Sequence, residues 1–163
     1  MGSMFYGCSS LTTLDVSNFD TSDVTNMISM FSGCSGLTSF NIPDSVETIG
    51  KESFYGCSSL TSVTIGSGVT NITNFAFGQC KSLTHIEIPN SVTIIDVNAS
   101  YGCESLISVT IPDSVTTIGG SAFGYCTSLI SVTILDSVTY IGNGAFSDCT
   151  SLPSVTIPNS VTS

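Results

Sequence analysis

Ile111-Pro112-Asp113-Ser114-Val115-Thr116-Thr117-Ile118-Gly119-Gly120-Ser121-Ala122-Phe123-Gly124-Tyr125-Cys126-Thr127-Ser128-Leu129-Ile130-Ser131-Val132-Thr133 is followed, from Ile134, by a second version of the same pattern. The cysteine marks the period. Cysteines fall at positions 8, 34, 57, 80, 103, 126 and 149, so the first spacing is 26 residues and every later one is 23. Self-similarity at a fixed period of roughly 20–50 residues is the signature of stacked supersecondary units. Within a unit, apolar residues recur as Leu60, Val63, Ile65, Val69, Ile72, Ala76, Phe77 and Cys80, and Ser, Thr, Gly, Asn and Asp fill the space between them. One unit cannot bury such an apolar set by itself, so stacking must supply the core.

Composition narrows the class. The 163 residues are 41% hydrophobic and only 9% charged, which is ample for a core and excludes disorder. Two lysines stand against twelve carboxylates, and a net charge of −10 repels phosphate backbones and anionic lipid surfaces. Nucleic acid is therefore not expected as a partner. No run approaches the ~18 apolar residues of a membrane span, and no basic-then-apolar leader opens the sequence, so no membrane insertion is expected of this stretch.

The pattern Leu-x-x-Val-x-Ile-Pro-Asp-Ser-Val-x-x-Ile-Gly-x-x-Ala-Phe-x-x-Cys, over roughly residues 35–163, resembles the 23-residue leucine-rich repeats of BspA-like surface proteins of anaerobic bacteria and parasitic protists. The front differs. Leu14-Asp15-Val16-Ser17-Asn18-Phe19-Asp20-Thr21-Ser22-Asp23-Val24-Thr25-Asn26-Met27, followed by Met30-Phe31-Ser32-Gly33-Cys34, is similar to the longer repeats of mycoplasma-type lipoproteins. The resemblance implies a single leucine-rich-repeat solenoid, a right-handed superhelix with a parallel sheet on its concave face. It further implies a cell-surface or secreted setting, adhesion to an extracellular or host protein, and no catalytic role. The motif records the scaffold and not the ligand.

Ser62-Val63-Thr64-Ile65 and its equivalents alternate small polar and β-branched residues, which predicts one short strand per unit. Seven parallel strands follow, at Thr13 to Val16, Ser39 to Ile42, Ser62 to Ile65, His85 to Ile88, Ser108 to Ile111, Ser131 to Ile134 and Ser154 to Ile157. At ~4.8 Å per step they would build a sheet ~30 Å long. The Ile-Gly-x-x-Ala-Phe-x-x-Cys part is too short and glycine-punctuated for a helix and reads as extended segments and 3₁₀ turns on the convex side.

Function is expected on the outward positions of the strands, where most coils carry Ser and Thr, which hydrogen-bond laterally and stay solvated. Asp15, Asn41, His85 and Glu87 break that uniformity, and Ser62, Thr64, Ser108 and Thr110 flank the His85 coil. These eight form the candidate ligand strip for a protein or a glycan. A remote enzymatic alternative joins His85 and Glu87 with Ser62 or Ser108 as a hydrolase triad, but an open sheet face offers neither oxyanion hole nor closed pocket. Metal is not expected either, since no Cys-x-x-Cys pair exists and His85 is the only histidine. No other cofactor is implied. The ladder Asp44, Asn90, Asp113, Asp136 and Asn159 reads as turn caps. Asn71-Ile72-Thr73 and Asn98-Ala99-Ser100 are formal glycosylation sequons, relevant in a secreting eukaryote.

Stacked cysteines of neighbouring coils could reach the ~4.4–6.8 Å Cα range of a disulfide, but seven cannot pair internally, and the favoured reading is a ladder of buried free thiols. Phe54, Phe77, Phe123 and Phe146 should stack as an aromatic column, interrupted at Ser100, with Tyr101 expected to swing inward and fill part of the gap. Met1-Gly2-Ser3 looks like a tag remnant, and the sequence enters and leaves in mid-unit, as a fragment would. Exposed solenoid ends are templates for self-association. Two function classes remain, an adhesive binding module using the sheet face and a passive spacer in a long surface protein.

Overall fold

The computed structural model describes residues 2–16, 20, 23, 24 and 26–162. Met1, Ser17, Asn18, Phe19, Thr21, Ser22, Thr25 and Ser163 lie outside the described residues, and with them part of the longer front repeat and of the tag-like start. The chain is a parallel β-solenoid. No helix among the described residues is long and apolar enough to cross a membrane.

Two kinds of ladder run along it. The first joins β1 (Ser39–Asn41) to β3 (Ser62–Thr64) and β6 (Ser108–Thr110) to β8 (Ser131–Thr133), each pair parallel and in 23-residue register. The second is a continuous five-stranded parallel sheet in the order β2 (Thr48–Ile49), β4 (Asn71–Ile72), β5 (Ile94–Ile95), β7 (Thr117–Ile118) and β9 (Tyr140–Ile141).

The predicted seven-strand sheet is therefore realised in pieces. The His85 coil contributes a single bridge to Ser108 and is separated from β3, where Thr84 N–H reaches Thr61 O only at 3.5 Å. Ser154 to Ile157 forms no strand because Pro153 occupies the position from which Ile130 N–H donates to Ile107 O at 2.9 Å, and proline has no N–H to give. Thr13 to Val16 forms no strand either. Its coil is held at Thr12, whose carbonyl accepts Thr38 N–H at 3.0 Å, and the front unit is three residues longer than the rest.

The second sheet was foreseen only as extended segments. A threonine one residue before each of its strands after β2 ties it together. Thr70, Thr93, Thr116 and Thr139 each donate a backbone N–H, at 2.8–3.0 Å, and a hydroxyl, at 3.2–3.3 Å, to the carbonyl one coil earlier. The expected 3₁₀ turns are replaced by tandem β-turns. Ser53 N–H donates to Gly50 O and Cys57 N–H to Phe54 O, with Glu52 and Gly56 at positive φ in the third position of each turn, a type II pattern. The left-handed residue stops helical winding.

These left-handed positions recur in every coil. Ser3, Ser29, Glu52, Phe75, Asn98, Ser121 and Gly144 occupy the first, and Gly7, Gly33, Gly56, Gln79, Gly102, Tyr125 and Asp148 the second. An ordinary side chain costs about 1–2 kcal/mol in this conformation, so Phe75, Gln79 and Tyr125 sit there against local preference.

The core is one column of Leu, Val, Ile, Phe, Met, Ala and Cys from Val24 to Cys149. Phe31, Phe54 and Phe77 stack on one another at 5.2 and 5.4 Å, Phe5 extends the row from Phe31 at 5.4 Å, and Phe123 stacks on Phe146 at 5.6 Å. The interruption at buried Ser100 is as read from the sequence, but Tyr101 does not fill it. Its ring packs instead against Phe75 and Tyr125, towards the surface. Aromatic partners one coil to either side hold it there better than a gap flanked by buried rings.

The cysteines are free, and all but Cys8 are buried. Each buried thiol donates to a carbonyl of the preceding coil, as Cys57 Sγ does to Phe31 O at 3.1 Å and Cys80 Sγ to Phe54 O at 3.1 Å. Burial, then the charge of Cys34, pushes the Cys57 thiol up to about 12 from an ordinary 9.0, and burial takes Cys103 to about 12 as well.

Candidate functional site

The alternation of strand residues that buries Val63 and Val109 turns their neighbours to solvent. Asp15, Asn41, Ser62, Thr64, His85, Glu87 and Thr110 are exposed, and Ser108 is half-buried. Register then decides which of them meet. Asn41 pairs with Thr64, Ser62 with Ser39, Ser108 with both His85 and Ser131, and Thr110 with Thr133. Ser108 is thus brought beside His85. Ser62, on the other flank, belongs to the coil across the long Thr84–Thr61 contact, and Asp15 and Asn41 lie further towards the front. The eight candidates form a strip along the solenoid and do not converge on one centre.

Around His85 the face is not flat. His85, Glu87, Asn90, Thr110, Asp113 and Leu135 line an open groove with a cavity volume of about 520 Å³, floored by Ile86 and Ile88. Its rim carries two carboxylates, an imidazole, an amide and a hydroxyl over an apolar floor, which suits a ligand with hydrogen-bond donors or a cationic group beside an apolar body.

Asn90 and Asp113 were missed as site residues because their ladder reads as turn caps. Asp44, in the same ladder, does cap. Ser67 donates to its Oδ1 from the backbone at 2.7 Å and from the hydroxyl at 3.0 Å, which holds the Asp44 carboxyl below the ordinary range. The available signal lay two coils on, where Leu135 stands at the place of Pro112 and Pro89 and adds a flexible apolar side chain to the groove.

The comparisons with known proteins agree with the repeat geometry. A family model described as BspA type leucine rich repeat region matches in six copies, over residues 2–80, 27–152 and 117–163. A leucine-rich repeat protein from Bacteroides ovatus is 37% identical with a TM-score of 0.76, over 81% of this chain and 34% of that one. A leucine rich cell surface protein from Faecalibacterium prausnitzii is 41% identical with a TM-score of 0.63, over 74% of this chain and 38% of its own length. The T. pallidum leucine rich repeat protein is 31% identical with a TM-score of 0.68, over 76% of this chain and 69% of that one. The chain thus spans about a third of the Bacteroides protein that it matches. No curated protein matches it.

Proposed function

The chain belongs to the BspA-type leucine-rich-repeat family, and from that premise we propose that it is a non-enzymatic binding module of a cell-surface or secreted protein, engaging a partner protein through the sheet face. The observation that carries this reading is the groove at the His85 coil, where a ladder of Ser and Thr gives way to His85 and Glu87, beside Asn90 and Asp113 of the turn ladder, around a volume of about 520 Å³. A purely structural repeat has no need of that exception. Unlike side chains gathered over an apolar floor are how a repetitive surface acquires a preferred partner. Asn41 and Asp15, further forward, extend the strip for a partner that lies along several coils.

The cell-surface setting is supported by the description of the Faecalibacterium relative, and adhesion is the use that such a surface serves best. The test is binding to a panel of extracellular-matrix proteins by surface plasmon resonance. His85→Ala with Glu87→Ala should weaken binding by about tenfold or more, and Thr133→Ala, on the same face outside the groove, should leave it unchanged. If no partner binds, or the double variant binds as the parent does, the spacer reading takes its place. That reading draws on the uniform Ser and Thr of the coils at Ser108, Ser131 and Ser154.

A further inference from the structure

The tandem turns carry a second surface, made of rings. Tyr55 and Phe75 meet edge-on at 5.7 Å, Phe75 and Tyr101 edge-on at 6.1 Å, and Tyr101 and Tyr125 tilted at 5.2 Å, a continuous row across four coils. Tyr55 and Tyr125 are 39% and 47% exposed, and the two rings between them are half-buried. Alternation builds the row. Tyr55, Gly78, Tyr101 and Gly124 are successive members of one 23-residue column, and a Cβ at Gly78 would stand 2.7 Å from Phe75 Cδ1, or at Gly124 3.2 Å from Tyr101 Cδ2. Each glycine lets a neighbouring ring lie across its coil. Tyr55 and Tyr101 are two coils apart, about 9.6 Å along the axis.

Ring packing holds the row together but leaves Tyr55 and Tyr125 open to solvent. Phe75, Gln79 and Tyr125 are all held at positive φ, at positions where other coils place Gly, Asn, Asp, Ser or Glu, and such strain clusters at functional sites. The charge around it points to the ligand. Both lysines of the chain stand at this edge and both are paired, Lys51 with Glu52 at 3.5 Å and Lys81 with Glu104 at 2.8 Å. In a chain of net charge −10 the rim is thereby close to neutral, with the Gln79 amide, the tyrosine hydroxyls, and Asp148, which is hydrogen-bonded to Tyr125, as its polar groups. A polyanion finds no unpaired ammonium among the described residues, and the Asp148 carboxylate beside the row is already engaged by the Tyr125 hydroxyl.

We propose that the row is a binding site for a neutral, extended glycan, whose sugar rings stack their C–H faces on Tyr55, Tyr101 and Tyr125 while Gln79 and Asp148 hydrogen-bond the sugar hydroxyls. Polarised C–H groups are attracted to the negative face of an aromatic ring, and tyrosine joins such a face to a polar tip. The two-coil spacing of Tyr55 and Tyr101 is commensurate with the two-sugar repeat of an extended β-linked chain. The site is separate from the sheet-face groove and does not depend on it.

The chain has no tryptophan, and three of its five tyrosines lie in the row, so tyrosine emission reports it against the fixed background of Tyr6 and Tyr140. The 163-residue chain is titrated with β-linked oligomers of glucose, N-acetylglucosamine and xylose of increasing length, with heparin and polylysine as charged controls. At least one neutral series should saturate the emission change, with affinity rising until the oligomer spans the row. Tyr125→Ser should weaken binding by about tenfold, and His85→Ala should leave it unchanged. Gln79→Gly relieves a left-handed side chain, so it should raise the melting temperature and still lower the affinity, a combination that misfolding cannot produce. Binding of heparin or polylysine alone, or neutral-glycan binding indifferent to Tyr125→Ser and Gln79→Gly, would overturn the proposal, as would no neutral binding by the folded chain.

Discussion

The two ladders of this solenoid are built from the same repeat and behave differently. The β2-β4-β5-β7-β9 sheet runs unbroken through five coils, because a threonine clamp of the same kind, from Thr70, Thr93, Thr116 and Thr139, bridges each of its four junctions, and the same thiol-to-carbonyl bond recurs along the stack. The sheet on the candidate binding face breaks into two pairs, at the His85 coil and again at Pro153. Stability rests on positions where every coil does alike, and specificity arises where one coil departs. The face that carries His85 and Glu87 is also the one whose backbone bonding is less complete, which is where a binding surface can vary at little cost to the stack.

The largest effect expected on the regular side comes from the aromatic column. Phe77→Ala removes a fully buried ring that stacks on Phe54, and should cost about 3–5 kcal/mol in chemical denaturation, whereas His85→Ala on the irregular face should change stability by less than about 0.5 kcal/mol. Comparable losses would erase the distinction between the two sides.

The thiol ladder should show itself at high pH. Thiols raised to about 12 at Cys57 and Cys103 in the fold ionise in the unfolded chain near the ordinary 9.0. Their contribution is fully present below pH 9 and is lost as pH rises towards 12, so the melting temperature should hold to about pH 9 and then fall steeply. Thiol titration of the native protein at neutral pH should find the exposed Cys8 reactive and the other six only after denaturation. A flat alkaline profile would mean that the ladder is open to solvent.

Two repairs sharpen the comparison. Ser100→Phe would join the two halves of the aromatic column and should stabilise by about 1–2 kcal/mol, several degrees in melting temperature; a clear fall would show that the gap is already filled. Pro153→Thr restores the missing donor to Ile130 O and should add a strand pair to the binding-face sheet, worth about 0.5–1.5 kcal/mol and visible as slowed exchange of the new amide.

The smallest difference separates two threonines. Thr116→Val deletes a hydroxyl bonded to Thr93 O at 3.3 Å and should cost up to about 1 kcal/mol, and Thr110→Val, on an exposed strand position, should cost nothing measurable. The reverse order would place the clamp on the wrong ladder.

Much of this was legible in the residues. The 23-residue cysteine period, the inward set from Leu60 to Cys80, the interrupted Phe column and the strand positions at Ser62 and Ser108 all follow from spacing, since any side chain repeated every coil must meet its own copies. The exposure of Asn41, His85 and Glu87 follows in the same way from strand alternation. Asn90 and Asp113 did not, because a turn-capping side chain and a groove-lining one have the same identity and differ only in what the next coil places opposite them.

Sequence alone therefore determined the solenoid, its period, its buried column and which strand side chains face out, because these depend only on a residue and its repeat. Tertiary structure decided the rest. That two-residue stretches such as Thr117–Ile118 join into the longer sheet, that Pro153 ends the other, that Tyr101 turns outward to Phe75 and Tyr125, and that a groove opens at His85 all depend on contacts between unlike residues of neighbouring coils. A repeat predicts what is shared between its copies, and the exceptions acquire their meaning only when the coils are stacked against one another.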